Sequence, residues 1–377
     1  MSAGRPVYLD YNATAPLRPE AAEAMTHALS QPANPSSVHQ FGRAARALMD
    51  QARLQIATAL QVKPAELTFT SGGTEANNMV LAGFKTIIAS SIEHDAVLAA
   101  CPTARLIAVD SQGVVDLSHL EQMLTDLSDT DRPETLVSVM AANNETGVIQ
   151  PLAEIGALCR RHQVSFHSDM VQAFGKLAVD LDEACIDFLS LSGHKIGGPT
   201  GIGAVWCRPG KHLHSLLAGG GQEQGRRSGT ENLSGICGFA AAAQNAVPEE
   251  LTPIQQWRDE AEQMITAHCP QIEIIGRTVN RLANTSCLVL PNLTAQTAIM
   301  ALDLAGFAVS SGSACSSGKV TSSHVLKAMG RDDAAGQVIR ISAGWQTKRA
   351  DLHGLAQALI DLYKRKAQKH VIITVFE

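Results

Sequence analysis

Between residues 40 and 60 apolar side chains fall at Phe41, Ala45, Leu48, Ala52, Ile56 and Leu60, three and four positions apart. That period lines one face of an α-helix, so the spacing predicts a long amphipathic helix, with Ser36 and Ser37 as its caps after Asn34-Pro35. From about residue 67 the period changes. Seven short β-rich runs follow, LTFTS, TIIAS, RLIAVD, TLVSVMA, VSFHSD, DFLSLS and GAVWC, separated by helical stretches such as 118–127 and 152–162. Strands alternating with helices predict an α/β fold with a mostly parallel seven-stranded sheet between helices. Ligands of such sheets gather beyond the carboxyl ends of the strands. From Val247 the stretch VPEELTPIQQWRDEAEQM reads as a turn and then an acidic helix, which sets the main boundary. The expected division is a large domain over 14–250 and a smaller α+β domain from 1–13 and 251–377.

Length agrees with two units, since 377 residues exceed what one hydrophobic core usually serves. A formal net charge of −6 leaves no basic surplus to bind nucleic acid or an anionic membrane, so neither is an expected partner. The opening MSAGRPVYLDYNATAP lacks the apolar core of a secretory signal, and no apolar run approaches the ~20 residues of a membrane span. A cytoplasmic location is the expectation. The eight cysteines include no CxxC and the histidines no HExxH, so no metal site is expected. Most of these cysteines read as small buried residues. Cys315 differs, because Ser311-Gly312-Ser313-Ala314 precedes it and Ser316-Ser317-Gly318 follows it, which is loop chemistry.

The chemistry collects at strand ends. In SLSGHKIGGPTGIGAVW, Lys195 follows a strand and precedes a Gly-rich turn, where a lysine can be held near a ligand with little crowding. Asp169 ends the run VSFHSD and delivers a carboxylate to the same edge. A lysine and an acid so placed suit pyridoxal phosphate, which needs an amine for a Schiff base and an acidic partner for its ring nitrogen. Gln172 is placed to reach the ring's phenolic oxygen, although a capping Asp and a solvated Gln are the blander alternatives. TFTSGGTEANN is strand, Gly-Gly turn and helix, so the amides around Gly73 with the Thr74 hydroxyl make an anion site, or else a helix capped by Thr74 with Asn77 at N3. Ser192 and His194 flank Lys195 closely enough to add phosphate contacts. His94 is placed to stack on the cofactor and shuttle protons, or to cap a helix. Asn144 in NNETG suits an oxygen of substrate or cofactor, against a plain turn, and Arg340 in VIRISAG suits a carboxylate, against a strand ion pair. A nucleotide site is set aside, because no GxGxxG follows an early strand and GSACSSGKV misses the phosphate-loop pattern twice.

In their order and wording these motifs resemble the class V aminotransferase group of pyridoxal-phosphate enzymes, and most closely the NifS/IscS-type cysteine desulfurases. YLDYNATAP, NPSSVHQFGR, TFTSGGTEANN, EHDAV, NNETGVIQP, HSDMVQ, LSGHKIGGPTGIGA, GGGQEQGRRSGTEN, SSGSACSSG and RISAG carry the resemblance over nearly the whole chain. It implies the transferase fold type I of these enzymes, working as a homodimer with both sites at its interface. Lys195 would then bond the cofactor, Asp169 pair with its ring nitrogen, Gln172 meet its phenolic oxygen and His94 stack on the ring. Thr74, Ser192 and His194 would hold the phosphate, with Thr230 of RRSGT reaching it from the other subunit. Asn144 and Arg340 would take the substrate carboxylate, with Asn34 near them.

Cys315 acquires its role only through this resemblance, as the nucleophile that takes sulfur from L-cysteine as a persulfide, releases L-alanine and hands sulfur to an acceptor or iron–sulfur scaffold protein. His94 is the candidate for activating it. SSGSAC matches the branch with the longer cysteine loop rather than the RAGHHC branch, which favours cysteine over selenocysteine. Gln224 replaces an arginine common in the Gly-rich loop, LAGFKTIIASSIEH is short, and LYKRKAQKHVIITVFE ends without the longer tail of IscS-like members. The competing readings are a selenocysteine lyase or aminotransferase of the same class, and a non-catalytic docking platform for sulfur transfer.

Overall fold

After a two-residue strand β1 (Val7–Tyr8), helices α1 (Pro19–Leu29) and α2 (Gln40–Leu60) lead into the central sheet. The computed structural model describes residues 6–32, 34–312 and 322–375, with side chains to residue 365. The sheet strands are β2 (Leu67–Thr70), β3 (Thr86–Ser90), β4 (Arg105–Ile107), β5 (Thr135–Ser138), β6 (Ser165–Asp169), β7 (Phe188–Ser192) and β8 (Gly203–Cys207). They lie in the order β2-β8-β7-β6-β5-β3-β4, and all but β8 run the same way. Each of the seven runs therefore contributes a strand to one sheet, as their spacing predicted.

Helices α3 (Gly73–Leu81), α4 (Asp95–Leu98), α5 (Leu117–Thr125), α6 (Leu152–Arg161) and α7 (Leu233–Asn245) connect and follow these strands. Because both faces are covered, β2 and β5 to β8 are buried at every position. Phe166, Phe188 and Phe239 are almost wholly buried, each contributing about 1.5–3 kcal/mol. Helix α2 buries Ala45, Met49, Ala52, Ile56, Ala57 and Leu60, whereas Phe41, placed by its period on that face, is 57% exposed. Its cap also differs from expectation. His39, rather than Ser36 or Ser37, accepts the Gly42 amide through Nδ1, because His39 is the residue that leaves the extended backbone directly into the first turn.

Past α8 (Thr252–His268) come β9 (Glu273–Ile274), β10 (Thr285–Val289), α9 (Ala295–Leu304), β11 (Phe307–Ala308), β12 (Ser310–Ser311), α10 (His324–Ala328), β13 (Val338–Ser342) and α11 (Arg349–Val375). A four-stranded sheet in the order β12-β13-β10-β9 backs a second core that runs from Leu251 to Tyr363 and takes in Leu9, while the main core lies between Ala21 and Ala246. The early segment joins this region directly, since β1 pairs with β11 and Asp10 bridges Ser342. Among the described residues no helix is long and apolar enough to cross a membrane.

One close approach locks α6 to the main sheet. A Cβ at Gly156 would lie 1.9 Å from the Ala184 carbonyl oxygen, a backbone atom that cannot turn aside. Gly156→Ala gains ~0.5–1 kcal/mol of helix preference, against an overpacking cost of roughly 1–3 kcal/mol or more. The clash wins, and a lower urea midpoint at an unchanged slope is the expected result.

Candidate active site

Because six of the strands share a direction, their carboxyl ends deliver Ser71, Ser91, Val139, Met170 and Gly193 to one edge of the sheet. Four pieces of a candidate site are assembled there. The first is the N-terminus of α3, whose N-cap is Gly72 and whose first turn is closed by no side chain. Thr74 is the exposed second residue of the helix and Asn77 is buried, so the capping alternative raised for this pair does not hold. Gly73 gives the turn its closeness: a Cβ there would lie 2.8 Å from Val171 Cγ2 and 3.6 Å from Ser192 Cβ. Gly73 and Ser192 are thus neighbours around unshared amides, an arrangement that receives an anion.

The second piece is Asp169, buried at the end of β6. Its carboxylate is held by Asn77 Nδ2 at 2.7 Å and by the Val171 amide at 2.9 Å. Sequence reasoning gave Asn77 no such role. The signal was the doubled asparagine in TEANN, where Asn77 shares the buried face with Ala76 and Val80 while Asn78 turns to the Thr74 and Ala96 carbonyls.

Third is Lys195, at the end of a short 3₁₀ turn after β7. Its amine donates to the carbonyls of Asn12 at 2.7 Å and Ala13 at 2.8 Å. The turn beyond it is stitched to the same early segment: the Arg18 amide meets the Gly197 carbonyl at 2.8 Å and Arg18 Nε meets the Ile196 carbonyl at 3.0 Å. Gly197 stands at φ +87°, and a Cβ there would press 2.6 Å from Arg18 Cγ, so glycine is required on two counts. His194 bonds Thr14 Oγ1 at 3.2 Å. Burial, assisted by Lys195, pulls its imidazole down to about 4.

Behind these lies a network on Asn12 that sequence reasoning missed. Its carbonyl also receives Gln172 Nε2 at 2.9 Å, its Nδ2 reaches Thr285 Oγ1 at 2.9 Å and its amide reaches Ser342 Oγ at 3.0 Å. Asn12 lies within YLDYNATAP, and nothing in its spacing marks it for the interior.

His94 forms the fourth piece. It is the N-cap of α4, with Nδ1 accepting the Ala96 amide at 3.0 Å. The cap alternative is therefore realised, and when neutral the ring carries its proton on Nε2. Beside it Glu93 is wholly buried, bonds the Met140 amide, and burial pushes its carboxyl well above the ordinary range.

Asn144 and Arg340 meet through the Asn144 carbonyl, which receives Arg340 Nη1 at 3.0 Å. Arg340 also pairs with Asp10 at 2.7 Å, so the strand ion pair is present, and its Nε has no partner among the described residues. Asn34 stands in an exposed turn with its side chain on the Ser36 amide, and no described contact brings it to Asn144 or Arg340. Thr230 is exposed and lines a cavity with Thr70, Ser71 and Arg227 of its own chain rather than touching Thr74. Cys315 lies outside the described residues; the flanking Gly312 and Ser323 both meet buried Glu145, Ser323 through a 2.6 Å hydrogen bond.

This donor set fits pyridoxal phosphate. The open turn at Gly73 suits its phosphate, the doubly held Asp169 suits its ring nitrogen, and the Lys195 amine suits its aldehyde carbon. Comparison with known proteins agrees. Residues 7–355 match the model of the class-V aminotransferases. A cysteine desulfurase IscS of Dictyoglomus turgidum is 39% identical, with 93% of this chain and 92% of that protein covered. A cysteine desulfurase of Cereibacter sphaeroides is 40% identical, with 94% of each covered. The solved structure of a NifS-like protein from Rickettsia africae superposes with a TM-score of 0.89 at 36% identity, covering 96% of this chain and all of that one. The fold is thus that of these pyridoxal-phosphate enzymes, and the chain belongs to the class-V aminotransferase family, among its cysteine desulfurases.

Proposed function

We propose that this chain removes sulfur from L-cysteine, releases L-alanine and carries the sulfur as a persulfide on Cys315. The observation that carries the reading is the joining of the Lys195 amine, the doubly held Asp169 and the open α3 turn at one sheet edge, in a chain about 40% identical to named cysteine desulfurases. Bound pyridoxal phosphate supplies the electron sink that makes the substrate's Cα and C–S bond labile. Lys195 would hold the cofactor and, once its amine is released by the substrate's, would move a proton at the substrate Cα. Asp169 would face the ring nitrogen and favour its protonated form, and Gln172 would donate to the ring oxygen. Thr74, Ser192 and His194 would hold the phosphate through hydrogen bonds.

At the other end, Arg340 and Asn144 orient the carboxylate of L-cysteine, with Asn34 closing in from its turn. The Cys315 thiolate attacks the substrate sulfur, an S–S bond forms as the C–S bond breaks, and the electron pair left on carbon takes up a proton. L-cysteine and one thiol thus become L-alanine and one persulfide, with no outside oxidant. His94, whose neutral ring presents its proton on Nε2, is the group placed to exchange protons with the thiol.

We take the working units to be 14–250 and 1–13 with 251–377, a division that the two separate cores support. We further place the enzyme in the cytoplasm as a homodimer, with Thr230 completing the partner's phosphate site, and its sulfur goes to an acceptor protein for iron–sulfur cluster assembly or another transfer route. The test of the activity is a single incubation of the holoenzyme with L-cysteine and a reductant, following alanine and sulfide together. Equal amounts are expected. A keto acid in place of alanine would instead mark an aminotransferase.

A further inference from the structure

Lys176 carries a buried amine with no acid beside it among the described residues. Its Nζ donates to Gln172 Oε1 at 2.9 Å and to Asn12 Oδ1 at 3.2 Å, and among the described residues no carboxylate lies within ion-pair distance. The charged groups that act on it are Lys195, from the turn after β7, and Arg340, from β13. Tyr11, Arg18 and Glu250 line the same cavity of about 30 Å³, where Glu250 is already paired with Arg18. Burial first, then the two cations, pull the Lys176 amine down to about 7.

An ammonium group only donates, whereas a carboxamide has one accepting and one donating end. With Lys176 on its Oε1, Gln172 must turn Nε2 toward the Asn12 carbonyl, the same oxygen that receives Lys195. Asn12 is oriented in the same way: Oδ1 takes Lys176 and Asn284, which leaves Nδ2 for Thr285 and the Asn144 carbonyl.

We propose that Lys176 is a positioning residue whose ammonium fixes which end of Gln172 faces the Asn12 carbonyl that receives Lys195, and which end of the Asn12 side chain faces Thr285, and so sets the donor and the positive field that the bound cofactor meets. This rests on the reading of Lys195 and Gln172 as cofactor ligands. It assigns work to a residue that touches neither cofactor nor substrate.

The test is an absorbance titration of the holoenzyme with Lys176→Met, which keeps the length and removes the charge and donor. Loss of a nearby cation and of a fixed donor both favour the protonated chromophore, so the pH midpoint of the visible band should rise by about one unit or more. Lys176→Arg, which keeps the charge, should return the midpoint at least halfway. A merely structural lysine would lower the melting temperature and leave the midpoint in place, and that result overturns the proposal. Should neither variant fold, the parent decides: ¹⁵N-lysine NMR of the holoenzyme at pH 6 should show a charged Nζ at position 176, and a neutral one overturns the idea. A parent with no visible band would sink the cofactor reading and this one together, whereas a band with an unmoved midpoint sinks this one alone.

Discussion

Lys195→Ala should lower alanine formation from L-cysteine by about a thousand-fold or more and abolish the visible band that pyridoxal phosphate gives when bonded to a lysine. The argument is positional. Lys195 has its amine at the sheet edge, between the carbonyls of Asn12 and Ala13 and beside the turn that holds His194. The nearest other amine, Lys176, is buried behind Gln172 with its nitrogen committed to Gln172 and Asn12. It cannot stand in without breaking that network. Lys195→Arg should fail as completely, because a guanidinium does not give up its proton under these conditions. Retention of even a tenth of the parent's turnover by either variant would remove Lys195 from the chemistry.

The second large effect concerns the sulfur carrier. With Cys315→Ala we expect the cofactor band to persist while alanine and sulfide release both fall by about a hundred-fold or more, since the attacking nucleophile is gone. Six of the seven other thiols are held back by burial. Burial raises those of Cys101, Cys159, Cys237, Cys269 and Cys287, and pushes Cys207 up to about 11. At pH 7 a thiol like Cys207 is ionised about one part in ten thousand, against a few per cent for an ordinary cysteine. Unchanged sulfide release from the variant would refute the persulfide route, leave the cofactor assignment standing, and point to a lyase that frees sulfide directly.

Much of this was legible along the chain because buried parallel strands show as short β-rich runs, and the site residues sit at their last position or up to three beyond it. Asp169 and Lys195 are visible for that reason. Residues that act through the interior were not. Asn12 and Lys176 look like a turn asparagine and a surface lysine, and only the packing of β10 and β13 against residues 11–13 turns them inward. Strands of two residues, such as β1, β9, β11 and β12, are too short to leave a period of their own. The cap at His39 escaped because serine is the commoner cap, whereas the backbone enters the helix three residues later than Ser36. Thr230 shows a further limit: the role proposed for it lies across a subunit boundary, and within one chain it lines a cavity with residues such as Thr70, Ser71 and Arg227.

The anchoring of Asn12 also fixes an order of events during synthesis. Asn12 leaves the ribosome before the central sheet, which is complete once β8 has emerged, yet of the residues that hold Asn12 in place Asn284 and Thr285 arrive nearly eighty residues later and Ser342 about 135. At about 5–20 residues per second that interval is on the order of ten seconds. Throughout it the nascent chain owns a finished sheet with Lys195 on its edge but no anchored carbonyls to receive the amine. The surroundings of the Lys195 amine are therefore completed only after the sheet that presents it, by residues of the second core.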